Sequence, residues 1–388
     1  MSPKSASHPV WLAGFRPFFT LACLAGIALP ALWALIYTGV VAPPAGPFNM
    51  IQWHAHEMFY GFGWAVLGGF LLTATKNWVK VRGYHGGALM FLVAAWIFER
   101  LGMWFGASWP APLFLLSNFL FLACAVAMIL WTLMRHHATD SYRDNFIFML
   151  ALPAFLVAKY LLLSADGFQA GWITTIALFR VAFLVMLERT VSQFMKGACQ
   201  VDVLRYPPLD GSIKGLALVL VLAGLLPSPV AAALDLLLAV LLAGRFLFWY
   251  PQRAMRRLDI GVMYLGYAAI VMQLVLDAAD RLAAPAWTGT VAVHVFTFGA
   301  MGLIAPALMI RISKGHTGRP VTFSAPDRYA IWVMVLAFVL RLIAPQLYPA
   351  GYAMWISLAA LCWCGCFGLL GWRLVPFLWQ PRADGKEH

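Results

Sequence analysis

Twelve long apolar stretches follow one another almost from end to end of the chain, and nothing else in the sequence limits the fold so strongly. They fall at about 17–40, 58–78, 87–106, 111–134, 146–164, 170–191, 213–228, 229–248, 259–279, 288–311, 329–347 and 351–374. A helix needs about 20 apolar residues to cross the hydrocarbon of a bilayer. Backbone groups in lipid must bond within their own segment, so such runs imply helices rather than strands. Pro227-Ser228-Pro229 reads as a tight turn between the seventh and eighth spans. The expected architecture is all-α: one transmembrane domain over residues 1–388, a bundle of about 12 helices, with no loop long enough for a second domain.

Composition enters as a check on that reading. Of 388 residues 63% are hydrophobic and 11% charged, with a mean hydropathy of +0.81. Soluble domains are closer to half apolar and a quarter charged, which excludes an ordinary globular enzyme, a disordered regulator and a nucleic-acid binder. The net charge of +12 then marks loops. Lys76, Lys80 and Arg82 lie in the 2–3 connection, Arg135 and Arg143 in the 4–5 connection, and Arg311, Lys314, Arg319 and Arg328 in the 10–11 connection. With the 6–7 and 8–9 connections and the termini, where Lys4 belongs, 22 of the 27 Lys and Arg fall on one side. The positive-inside rule makes that side, and both termini, cytoplasmic. Before the first span there is no apolar segment with a small-residue cleavage site, so no removed leader is expected. Cys362-Trp-Cys364-Gly-Cys366 lies in the last apolar run. Adjacent turns of one helix rarely suit a disulfide, leaving small packing residues or a soft metal site.

Ionisable residues inside spans are costly and mark functional candidates. On this topology Glu99 and Arg100 fall in the outer half of span 3, Lys159 in the outer third of span 5, Arg180 at mid-depth in span 6 and Arg341 in the outer third of span 11. Asp277 and Asp280 stand at the outer end of span 9. Two readings remain: buried ion pairs that lock helices, or cations that hold the carboxylates of a bound group.

The histidines divide in the same way. His8, His136, His137 and His388 belong to termini or basic loops, and His85 to the turn Gly83-Tyr-His-Gly-Gly87; these are expected to be solvated. Trp53-His-Ala-His-Glu-Met58 opens span 2. In an extended segment His54 and His56 point the same way and can share one metal; on a helix they diverge by about 200° and serve two centres. Imidazole suits copper, zinc and haem iron, and the Met58 thioether suits cuprous ion. Span 10 buries His294 in an apolar run, and both His56 and His294 are followed five residues later by glycine, Gly61 and Gly299. Such glycines let backbones approach or clear room for a flat ring. No clear repeat relates the two halves of the chain beyond this echo. His316, in Gly315-His-Thr-Gly-Arg-Pro320, belongs to a tight loop of structural or anion-binding character.

Taken together, Gly14-Phe-Arg-Pro-Phe-Phe19, Trp53-His-Ala-His-Glu-Met58, Gly69-Phe-Leu-Leu-Thr-Ala74 before Asn77-Trp78, Arg143-Asp-Asn145 and Gly315-His-Thr-Gly-Arg-Pro320 resemble the NnrS family of bacterial membrane proteins. The resemblance covers most of the chain. It implies a twelve-span protein of the bacterial inner membrane that binds haem b and copper and protects against nitric oxide, often beside denitrification. After span 6 the family tends to read Arg-x-x-Pro-x-Phe-Thr, whereas this chain has Arg189-Thr-Val-Ser-Gln-Phe-Met195, which points to a divergent member.

Two function classes follow. The first is a nitric oxide reductase with a haem beside a second metal, fed by membrane quinol. Joining two nitric oxide molecules takes two electrons and two protons, and carboxylates can supply the protons. His54, His56 and His294 are then the ligands, with Met58 beside them, and Glu57 and Glu99 the proton carriers. Arg100, Lys159, Arg180 and Arg341 face haem propionates. The second class is a non-catalytic haem or copper protein that traps, senses or transports.

Overall fold

The computed structural model describes residues 8–285, 287 and 290–386. Lys4, His388 and the first two expected residues of span 10, 288 and 289, lie outside the described residues. Among the described residues no strand forms, and twelve helices are long and apolar enough to cross a membrane. They are α1 (Phe15–Tyr37), α2 (Met50–Trp78), α3 (Gly87–Ser108), α4 (Ala111–Arg135), α5 (Arg143–Leu163), α6 (Phe168–Cys199), α7 (Pro207–Leu225), α8 (Ser228–Phe248), α9 (Leu258–Ala283), α10 (Val291–His316), α11 (Ala325–Leu347) and α12 (Pro349–Trp379).

The helices outrun the apolar stretches where polar residues are themselves helical. α2 begins at Met50 because Asn49 caps it: the Asn49 side chain accepts from the amides of Ile51 and Gln52 at 2.9 Å, and Gln52 Oε1 accepts from the Asn49 amide at 2.9 Å. A cap of this kind contributes about 1 kcal/mol. Trp53-His-Ala-His-Glu-Met58 therefore lies inside the helix. α10 likewise continues through Gly315 and His316, stopping where Gly318 takes φ +72°. The turn between α7 and α8 falls at Leu226 and Pro227, both extended.

The chain divides into two compact units. The first holds residues 1–165, 309–322 and 367–388. Here α1 crosses α2 at close range. A side chain on Gly14 would strike Leu72, and one on Gly69 would strike Phe18. Thr73 Oγ1 accepts from the Phe15 amide at 2.8 Å and donates to the Gly69 carbonyl at 2.8 Å. Two of the recognised motifs are thus the two halves of one helix crossing, in which small residues and a back-bonded threonine let the backbones meet. Arg16, fully buried, donates to the Leu378 and Gln380 carbonyls at 2.7 Å. The Gly315–Pro320 loop holds the C-terminal segment: Arg319 reaches Gln380 at 3.0 Å and covers the Phe377 ring, and the Thr317 carbonyl accepts from the Ala383 amide at 2.9 Å. His316 lies 5.5 Å from the Phe15 ring. Arg382 donates to the His316 carbonyl at 3.0 Å, and its hydrogen bonds hold the exposed Asp384 carboxyl down to about 2.

The second unit holds residues 166–308 and 323–366. α9 packs closely on α10, with Gly266 against Ile304 and Gly299 against Ala269 and Phe338. A charge network ties α6, α7 and α8 together. Arg205 reaches Glu188 at 2.5 Å and Asp210 at 2.9 Å, Lys214 reaches Glu188 at 3.2 Å, and the buried Arg245 stands 3.5 Å from Asp210 and donates to the Tyr267 hydroxyl at 3.1 Å.

Candidate functional site

In the first unit, α2, α3 and α5 bring five ionisable side chains into one buried cluster. His56 and Glu99 are 0% exposed, Glu57 is 2% and Lys159 is 0%. His56 Nδ1 lies 3.1 Å from Glu57 Oε1, and its Nε2 lies 3.2 Å from Glu99 Oε1 without hydrogen-bond alignment. Arg100 spans both carboxylates, 3.2 Å from Glu57 Oε2 and 2.8 Å from Glu99 Oε1. Lys159 bonds Glu99 and the Asn118 carbonyl and stands over the Tyr60 ring. Two carboxylates meet two basic side chains, Arg100 and Lys159, so their formal charges balance within the cluster. That balance is what makes burial of four charges tolerable. Glu99 and Arg100, neighbours on α3, are paired within this cluster.

The backbone shapes this cluster. From Glu57 to Gly63 α2 is a π-helix, a widened turn that frees backbone groups and often marks a functional site. The Gly61 carbonyl accepts from Trp96 Nε1 at 3.0 Å. A side chain at Gly61 would collide with the Arg100 guanidinium. Gly61 does clear room for a flat group, and that group is Arg100. At the start of α2, Gln52 Nε2 donates to the Leu162 and Ser164 carbonyls at 3.3 and 3.0 Å, anchoring it on the end of α5.

The helical segment sends its two histidines apart. His54 is half-buried and stacks on Trp33 of α1, ring centroids 4.1 Å apart, while His56 faces Glu57 and Glu99. Met58 is half-buried in the π-helical turn. His54 and His56 are thus turned to different partners. Among the described residues no group of three or more His, Cys, Asp or Glu is arranged to hold a metal ion.

His294 belongs to the second unit. A second π-helix, Val295–Met301, follows it directly, as Glu57–Gly63 follows His56. His294 Nδ1 lies 2.7 Å from the Thr290 carbonyl. The Arg341 guanidinium lies 3.3 Å from the ring and donates to Thr290 Oγ1 at 3.2 Å and to the Tyr352 hydroxyl at 3.1 Å. Gly299, unlike Gly61, serves a close helix crossing. Arg180 sits apart in a third cluster. It donates to Gln273 at 2.9 Å and lies 3.6 Å from Asp277 and 3.9 Å from Asp235, and Arg281 meets Asp235 at 3.2 Å. Arg180 is thus compensated by carboxylates of its own unit.

Several partners were not singled out from the sequence. Asp235, in the middle of an apolar run, carried the signal of an intramembrane charge. Gln273, Thr290 and Tyr352 carried none, because uncharged polar residues are common in spans.

The family model described as NnrS protein matches residues 9–382 of the chain. No curated protein matches it.

Proposed function

Because the chain belongs to the NnrS family, we propose that it is a haem-binding membrane protein that handles nitric oxide, with His294 as the iron ligand. One observation carries this. Nδ1–H of His294 donates to the Thr290 carbonyl, which leaves Nε2 as the nitrogen with a lone pair, facing Arg341 at 3.3 Å until a metal takes it. A backbone or carboxylate acceptor on the second nitrogen is how metal-bound histidines are commonly oriented. Arg341 and Tyr352 beside the ring supply a cation and a hydroxyl suited to a propionate. The half-buried ring leaves an approach for a flat group. Haem b at this position would supply an iron that takes nitric oxide as a ligand.

In the reductase form of this proposal, two molecules of nitric oxide and one quinol give nitrous oxide, water and quinone. Glu57 and Glu99 then relay the two protons, with His56 in reach of both carboxylates. A copper centre on His54, His56 and Met58 does not fit these side chains. His56 already faces a carboxylate with each ring nitrogen, and His54 points to Trp33. That closed arrangement favours the second reading, a haem protein that traps or senses nitric oxide without turning it over. The deciding experiment uses purified protein in nanodiscs with haem: an optical spectrum with metal analysis, then nitric oxide consumption with a quinol. Haem together with quinol-dependent consumption supports the reductase. Haem with a nitrosyl spectrum and no consumption supports the trap, and no haem at all overturns both.

A further inference from the structure

At the basic end of the first unit, the end that the positive-inside rule assigns to the cytoplasm, a cavity of about 380 Å³ opens between the ends of α2 and α4 and the start of α3. Its basic wall holds the cations Lys76 and Arg82, with the imidazoles of His85 and His136 beside them. The hydroxyls of Thr75, Tyr84 and Thr132 join that wall, and Tyr84 is fixed by donating to the Met128 carbonyl at 3.1 Å. Leu72, Ala88 and Trp131 form an apolar flank, and Trp131 is 63% exposed. No carboxylate lines the cavity.

This differs from the clusters of Arg100 and Lys159, of Arg180 and of Arg245. There Arg100, Lys159, Arg180 and Arg245 each face carboxylates. Among the described residues neither Lys76 nor Arg82 is ion-paired, and Lys76 also feels the like charges of Arg16 and Arg382. Repelling cations around a polar hollow are stabilised by an anion from outside. At about 30 Å³ per water molecule, the cavity has room for a group well larger than a bare phosphate ion. Its apolar flank and exposed tryptophan suit a ligand whose other end is hydrocarbon.

We propose that this cavity is a phosphate-binding site for an anionic phospholipid headgroup of the cytoplasmic leaflet, held by Lys76 and Arg82. The phosphodiester accepts from the ammonium and guanidinium, the Tyr84 and Thr132 hydroxyls meet the glycerol portion, and the first acyl carbons lie along Leu72 and Trp131. Anionic leaflets and basic pockets between spans attract each other in this way. The inference does not depend on the haem or nitric oxide reading.

The test uses the full chain in neutral detergent, delipidated and then titrated with phosphatidylglycerol, phosphatidylcholine, glycerol 3-phosphate or inorganic phosphate. Native mass spectrometry reads retained lipid and thermal unfolding reads stabilisation. Phosphatidylglycerol is expected to be retained and to raise the melting temperature by several degrees, with phosphatidylcholine doing neither. Lys76→Gln with Arg82→Gln is expected to weaken retention at least tenfold. Arg82→Gln alone, in an exposed connection, weakens it less and guards against a folding defect. Arg256→Gln, on the same basic side in the other unit, leaves it unchanged. Equal retention of the two lipids, or undiminished retention by the double variant, overturns the proposal. Stabilisation by free phosphate with none by phosphatidylglycerol overturns the lipid as its source.

Discussion

The guanidinium of Arg100 occupies the space a side chain at Gly61 would need. Two different spans therefore depend on one missing methyl group. Arg100 reaches Glu57 and Glu99 at once only by lying against the widened π-helical turn of α2. A one-carbon change far from any ligand atom should therefore disturb the whole cluster.

Gly61→Ala is expected to push Arg100 off both carboxylates. Leaving buried charges uncompensated costs about 3–5 kcal/mol when a partner is removed outright, and a displaced partner costs somewhat less. Thermal unfolding in detergent should show a clear fall. Gly61→Ala protein that melts with the wild type would mean that Arg100 is not held as described.

His294→Ala is expected to abolish or change the haem spectrum while the protein still reaches the membrane, because the ring's Nδ1 is already committed to Thr290. Arg341→Gln should keep the iron ligand but loosen haem roughly tenfold, about 1.4 kcal/mol. Full haem content and an unaltered spectrum in His294→Ala would remove this residue from the ligand set.

The number of spans was legible in the sequence because lipid imposes a length and a polarity that soluble folds do not. Where the helices begin was less so: Met50–His56 is helical because Asn49 and Gln52 cap it, although its polar residues hide it from an apolar window. The charged residues inside spans stood out, and their clustering was foreseen in part. Their partners were not, since Lys159 meets Glu99, and Arg341 meets His294, only across spans distant in sequence. Neither π-helix leaves a mark in the apolar pattern. The shared glycine after His56 and His294 was the one trace, and it serves an arginine in one case and a helix crossing in the other.

His54→Ala and His56→Ala should behave differently. His54 loses a stack on Trp33, worth about 0.5–1.5 kcal/mol, and haem and nitric oxide binding should survive. His56→Ala opens a void between two carboxylates and should lower both stability and any nitric oxide turnover. Identical loss of a metal from both variants in elemental analysis would restore a shared centre.

The partition of basic residues can be tested without purification. A reporter that works only in the cytoplasm should be active when fused after residue 388 and silent when inserted within residues 41–48, before the α2 cap. The reverse pattern would place the His56 cluster, and the basic cavity, nearer the opposite faces.

The Glu99–Lys159 contact separates a lock from a proton carrier. Glu99→Leu alone leaves the buried ammonium of Lys159 without its carboxylate, and about 3–5 kcal/mol of stability should be lost. Adding Lys159→Met removes the second charge, leaving Glu57 and Arg100 as a balanced pair. Replacing a buried ion pair by apolar residues of similar volume is often neutral, so the double variant should regain most of the melting temperature. If Glu99 only locks helices, nitric oxide consumption returns with stability. If Glu99 carries a proton, the double variant is stable, binds haem and still fails to consume nitric oxide, because a leucine has no proton to give. Recovery of both properties together would strike Glu99 from the proton path.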